Sequence, residues 1–290
     1  MLMNPIVNGY YADPEARFYA GKYYIYVTRS ATDFAASMNL DAFSSEDLVH
    51  WEKHEGIIDM TGFPHIYQAV WAPTIIEKGG RYYLIFASND IHSDEEIGGL
   101  EIAVSDSPSG PFVRHMDKPL VDRFIHGAQP IDAHLFQDDD GTIYLYYGGW
   151  KHCNVAVMNE EMNGFVPHAD GSLFREVTPE SYMEGPCMLK RNGVYYFMWS
   201  DGDWTNGTYH VCASKTNSPL EIDPKGKIVL EASELADGPG HHGYLNLPGT
   251  DQWRIVYHRR VIGDHEPGHR VLCMDHLEFD GEDMLPVVMT

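Results

Sequence analysis

The chain has 290 residues, enough for one large domain or two small ones, and 43% of them are hydrophobic, enough to bury a sizeable core. Its 43 acidic residues against 20 lysines and arginines give a formal net charge of −23. That balance argues against a nucleic-acid partner, which needs basic patches to meet phosphate, and against an anionic membrane surface; a neutral ligand fits best.

The opening stretch MLMNPIVNGYYADPE has no basic start and no long apolar run. It predicts neither a signal peptide nor a membrane span, hence a cytoplasmic protein, with a secreted form left open if the sequence is a piece of a longer one. Cys153, Cys187, Cys212 and Cys273 each lie in or beside an apolar run, and none belongs to a CxxC pair. They read as buried free thiols, with little support for a zinc site or a disulfide framework.

Five segments then share one plan: a polar or aromatic head, a strand, a turn, an aromatic-rich strand and a third strand. The first begins at Asp13, turns at Ala20-Gly21-Lys22 and returns through Tyr23 to Val27. The second begins at Trp71, turns at Lys78-Gly79-Gly80 and returns through Tyr82 to Phe86. The third begins at Asp132 and turns through Asp138-Asp139-Asp140-Gly141, which lacks the ligand spacing of an EF-hand loop and reads as a solvent-facing hairpin turn. The fourth begins at Glu184 and turns at Arg191-Asn192-Gly193; the fifth begins at His241 and turns at Pro248-Gly249-Thr250-Asp251.

The heads recur about every 50–60 residues, with three or four strands per unit and no amphipathic helix. This predicts an all-β fold, a five-bladed β-propeller spanning residues 1–290 as one domain. A β-sandwich would not explain such similar units. The longer connections, such as Thr32 to Leu40 and Asp201 to Thr208, read as loops on the propeller faces.

The first strand of each blade is innermost in a propeller, so the heads converge on one end of the axis. Three of the five heads are carboxylates and one is a histidine. Like charges are costly to bury together unless function requires it, so their convergence marks a candidate site. Separated carboxylates suit glycoside hydrolysis, in which an acid protonates the leaving oxygen and a base activates water. Trp71 can offer a stacking face to a sugar, or be a core aromatic; Arg260 can offer forked donors. Phe34, in the loop after the first hairpin, can wall a sugar pocket or fill a contact between blades.

The motifs Ala12-Asp13-Pro14, Trp71-Ala72-Pro73, Ile131-Asp132-Ala133, Glu184-Gly185-Pro186 and Gly238-Pro239-Gly240-His241-His242 together resemble glycoside hydrolase family 43. The resemblance covers essentially the whole chain, one motif per blade. It implies a five-bladed propeller and an inverting glycosidase, with Asp13 as general base, Glu184 as general acid and Asp132 orienting Glu184 and tuning its pKa. It also implies Arg260 as a substrate-binding arginine. His241 would match an axial histidine that in many members holds a calcium or other ion, sodium included; a hydrogen-bonded histidine without a metal is the other reading. No cofactor is required for the chemistry. The leading expectation is an exo-acting enzyme on terminal α-L-arabinofuranosyl or β-D-xylosyl residues of plant-type oligosaccharides. An endo-arabinanase, a galactosidase or a non-catalytic carbohydrate-binding propeller is the alternative. A retaining fructosidase would need Arg-Asp-Pro and Glu-Cys where this chain has Ile131-Asp132-Ala133 and Glu184-Gly185. Sugar, linkage and oligomeric state stay open.

Overall fold

A computed structural model describes residues 3–30 and 33–290. Within them the chain forms five antiparallel sheets in sequence order, the five blades of a β-propeller, followed by a small two-stranded sheet of Phe279–Asp280 and Asp283–Met284. Blade one runs outward from the axis through Tyr11–Tyr19, Lys22–Arg29, Leu40–Ser45 and Glu52–His54. Blade two uses Trp71–Lys78, Arg81–Ser88, Gly99–Ser105 and Val113–Arg114. Blade three is His134–Gln137, Ile143–Tyr147 and Asn154–Met158, with Phe165–Val166 and Arg175–Glu176 both pairing the last of these. Blade four is Glu184–Arg191, Val194–Asp201, His210–Thr216 and Lys227–Leu230. Blade five has three strands, Ala236–Asn246, Trp253–Val261 and Arg270–Leu277.

The local chemistry explains the repeated hairpins. Two-residue turns that match strand twist need positive φ at both central positions. Ala20-Gly21, Gly79-Gly80 and Asn192-Gly193 all meet that condition. They close the pairs Tyr19↔Lys22, Lys78↔Arg81 and Arg191↔Val194. The second strands, such as Lys22–Arg29 (KYYIYVTR), are rich in aromatic and β-branched residues because both faces of a blade are covered by neighbouring blades. Five hydrophobic clusters result, one in each interface between blades. Buried tyrosines tie blades together in the same way twice: the Tyr26 hydroxyl donates to Pro108 O and the Tyr146 hydroxyl to Pro219 O, each at 2.6 Å.

Blade five lacks a fourth strand of its own. The segment near the N-terminus fills its outer edge: Ile6 N donates to Leu272 O at 2.9 Å, and Asn4 exchanges hydrogen bonds with the Met274 backbone. The inner strands of blades five and one meet closely at Gly243, where a Cβ would lie 2.8 Å from Pro14 O. First and last blades are thereby joined on both edges.

One expectation changes here and one holds. The acidic turn of blade three does not merely face solvent. Asp138 accepts from Lys190 Nζ at 2.5 Å and from the Tyr195 hydroxyl at 2.6 Å, which fastens blade three to blade four. The four cysteines are buried and unpaired.

Candidate active site

At or just before the axial end of each inner strand stands a residue with left-handed backbone: Asp13 (φ 52°), Ala72 (47°), Asp132 (57°), Gly185 (62°) and His241 (36°), with Gly238 (50°) a second one in blade five. In four blades this residue interrupts the strand register, as a bulge would. These five are the structurally equivalent positions. Trp71 and Glu184, read from the sequence as heads, each stand one residue earlier than the equivalent of Asp13. Ala72 and Gly185 fill the equivalent places with little or no side chain. That leaves the axis to Asp13, Asp132 and His241, flanked by Trp71 and Glu184.

The pocket at this end has a volume of about 290 Å³ and is lined by Asp13, Trp71, Asp132, Glu184 and His241 together with residues that the sequence reading did not single out. These include Asp90, Gln129, Trp150, Trp204 and Arg270. His241 Nδ1 lies 3.3 Å from Asp13 Oδ1 and 3.5 Å from Asp132 Oδ2, so it bridges the two aspartates. Arg270 Nη1 donates to Asp13 Oδ1 at 3.3 Å, while its Nε donates to Ser30 Oγ at 3.0 Å. Its guanidinium also lies 5.3 Å from the centre of the Trp204 ring.

The three carboxyl groups differ in their electrostatics. Burial alone would raise Asp13, but the charge of Arg270 leads a set of opposing groups, with His241, His258 and the Thr28 hydroxyl, that hold it down to about 2. Burial lowers both His241 and His258 below the usual imidazole value. The Asp13 N–H points into His258 Nδ1 at 3.3 Å, so that nitrogen accepts and carries no proton. Arg270 is therefore the lasting cation beside Asp13. Glu184 is pushed up to about 7, first by burial and then by the charges of Asp13 and Asp203, against the hydrogen bond from Tyr209 and the charge of Arg270. Asp132 is raised well above the usual carboxylate range by burial, then by Glu184 and Asp13, although the Gly185 N–H and Arg270 oppose this. Asp132 and Glu184 thus compete to ionise, and around neutral pH the pair resists carrying two charges.

Arg260 is a correction. It is buried, with only 3% exposure, and does not line the pocket. Its Nη1 donates to Trp204 O at 3.0 Å, so it supports the loop that carries Trp204. Arg270, paired with Arg260 across the two strands, is the arginine that reaches the pocket. Phe34 opens a short 3-10 turn, Phe34–Ala36, but its side chain lies outside what the structure describes. Among the described residues, no group of three or more His, Cys, Asp or Glu side chains is arranged to hold a metal ion. The residues near His241 thus supply no direct cage for the expected calcium or sodium, which favours several oxygen ligands.

Pocket residues missed in the sequence share an origin. A first strand starts at the pocket end, and the second returns to it. In blades two, three and four the connection after the second strand therefore borders the pocket, and Asp90, Trp150 and Trp204 lie in those connections.

The family description "Glycosyl hydrolases family 43" matches residues 2–285. The chain belongs to glycosyl hydrolase family 43. Among curated relatives, a β-D-galactofuranosidase of Aspergillus niger is 39% identical, the match covering 99% of this chain and 85% of that protein. A β-xylosidase of Xylanibacter ruminicola is 26% identical, covering 96% and 97%. Among solved structures, an α-L-arabinofuranosidase from Clostridium thermocellum matches at 26% identity with a TM-score of 0.76, covering 96% of this chain and 94% of that one. A family 43 β-xylosidase/α-arabinofuranosidase from a compost metagenome, solved with xylotriose in a calcium-free form, shares the fold at a TM-score of 0.81 and 22% identity, covering 100% and 97%. As a family 43 protein the chain is a glycoside hydrolase, whose chemistry needs no cofactor.

Proposed function

We propose that this family 43 enzyme is an inverting, exo-acting glycosidase that removes a terminal α-L-arabinofuranosyl or β-D-xylosyl residue. The observation that carries the reading is the opposed electrostatics of two carboxyl groups in one pocket: Asp13 held ionised beside Arg270, Glu184 held protonated near neutral pH. In this reading Asp13 takes a proton from a water molecule as the water oxygen attacks the anomeric carbon. The electron pair of the breaking glycosidic bond goes to the leaving oxygen, which takes the Glu184 proton. Asp132 tunes and orients Glu184 through their mutual repulsion. A pocket of about 290 Å³ with tryptophans on three blades suits one terminal sugar ring better than an internal stretch of chain.

A second reading, hydrolysis of terminal β-D-galactofuranosyl residues, is favoured by the 39% identity to the Aspergillus niger enzyme. The two furanosides share ring configuration and differ in the exocyclic arm, which is one carbon longer in galactofuranose. A panel of 4-nitrophenyl glycosides separates the readings: the highest kcat/KM is expected on the α-L-arabinofuranoside, and a higher value on the β-D-galactofuranoside would favour the second. Proton NMR of the first-formed sugar should show the inverted anomer; a retained anomer would overturn the single-displacement chemistry.

A further inference from the structure

We infer that Tyr209 is the positioning residue of the acid Glu184, selecting the carboxyl oxygen that carries the transferable proton. The inference rests on Glu184 being the acid. The Tyr209 hydroxyl donates to Glu184 Oε1 at 2.8 Å. With that oxygen accepting, the carboxyl proton resides on Oε2, and one rotamer of the acid is held.

Tyr209 itself is clamped. It is fully buried. One side abuts Gly240, where a Cβ would come within 2.1 Å of the Tyr209 ring. The ring lies nearly parallel to the His258 imidazole, at 8° with centroids 5.9 Å apart. His258 accepts the N–H of Asp13, so one stack connects the surroundings of the acid and the base. The Ser200 hydroxyl meets Tyr209 and also accepts the His241 N–H at 2.9 Å. Once the proton leaves Oε2, the new carboxylate keeps the tyrosine's hydrogen bond, which strengthens as charge develops. Tyr209 therefore makes Glu184 a stronger acid as well as a better aimed one. The other charged or titratable groups facing Glu184 are Asp13, Asp132, Asp203, Arg270, His241 and Tyr182.

The test is Tyr209→Phe in the intact enzyme, assayed on whichever 4-nitrophenyl glycoside it hydrolyses, with thermal melting to verify the fold. kcat should fall about tenfold with KM little changed, the loss expected for one hydrogen bond to a charged group. The alkaline limb of kcat/KM should move to higher pH, and carboxyl ¹³C NMR should show Glu184 titrating higher. The loss should shrink on a dinitrophenyl glycoside, whose leaving group needs little protonation. Added to Glu184→Gln, the substitution should cost nothing further. An unmoved alkaline limb, or a loss that adds fully in the double variant, would overturn the role of Tyr209. If Glu184→Gln alone shows no dependence on the leaving group, the acid assignment fails instead, independently of Tyr209.

Discussion

Two layers of the propeller axis carry similar side chains and behave in opposite ways. The pocket layer holds Asp13, Asp132, Glu184, His241 and Arg270. Two residues further along the inner strands lie Glu15, Thr74 and His134, with Arg17 beyond. There the Glu15 carboxylate is saturated. One oxygen meets Arg17 Nη1 at 2.6 Å and Ala16 N at 3.1 Å; the other meets the Thr74 hydroxyl at 2.8 Å and His134 Nδ1 at 3.1 Å. Burial would raise Glu15, but Arg17 and His134 reverse this and hold it below the usual carboxylate value. Glu184 accepts from the Tyr209 hydroxyl and is raised. Both are glutamates in one channel, Glu15 buried and Glu184 half-buried. In the proposed mechanism, what separates the structural carboxylate from the acid is the ratio of donors to lone pairs.

The comparison breaks if the two glutamates can exchange phenotypes. Glu184→Gln should reduce kcat by about 100- to 10,000-fold, the range for losing a general acid, without destabilising the fold. Glu15→Gln should leave kcat of the folded enzyme within a few-fold. It should cost about 3 kcal/mol in denaturant unfolding, because Arg17, with a side chain only 15% exposed, loses its counter-charge. A stable but inactive Glu15→Gln would erase the distinction.

Proton linkage sharpens it. The raised pKa of Glu184 means that the folded state binds the extra proton. Wild-type stability from this group is lost as pH climbs from about 4.5 towards 7. Glu184→Gln should therefore melt progressively higher than wild type across that window. Glu15, being lowered, stabilises the fold above its ordinary value of 4.5 and loses that contribution below it. The deficit of Glu15→Gln should accordingly shrink in acid. Parallel melting curves for both variants would contradict the opposite signs.

The smallest expected effect concerns the two paired arginines. Arg270→Gln removes a charge that lowers both Asp13 and Glu184, so both limbs of the kcat/KM profile should move to higher pH. Arg260→Gln should lower the melting temperature and leave both limbs in place. If Arg260→Gln shifts the limbs, that arginine acts on the site after all.

Much of the blade plan was legible because each hairpin advertises itself through turn residues and aromatic strands, as at Lys78-Gly79-Gly80. Asp13, Asp132 and Glu184 were legible as candidates because carboxylates at strand starts are uncommon together. Their register was not. Sequence shows residue type, while equivalence of position depends on φ, and only the left-handed residues show that Gly185, not Glu184, corresponds to Asp13. Arg270 was hidden because it comes from a third strand, and Arg259-Arg260 offered a denser basic signal. Trp150 and Trp204 were hidden because spacing alone did not say which face their loops occupy. The antiparallel return of each second strand could have said so.

The left-handed residues at the axis also restrict what the site can become. Asp and His tolerate that conformation better than most side chains, and Gly tolerates it freely. Asp13, Asp132, His241 and Gly185 all come from this short alphabet, with Ala72 the exception. Glu184 stands one step outside it, with ordinary strand backbone. A longer carboxylate was admissible there and would be strained at Asp13. Chain handedness thus filters which acids this ring can present, so an Asp-to-Glu exchange at the axis is a change of backbone vocabulary as much as of length.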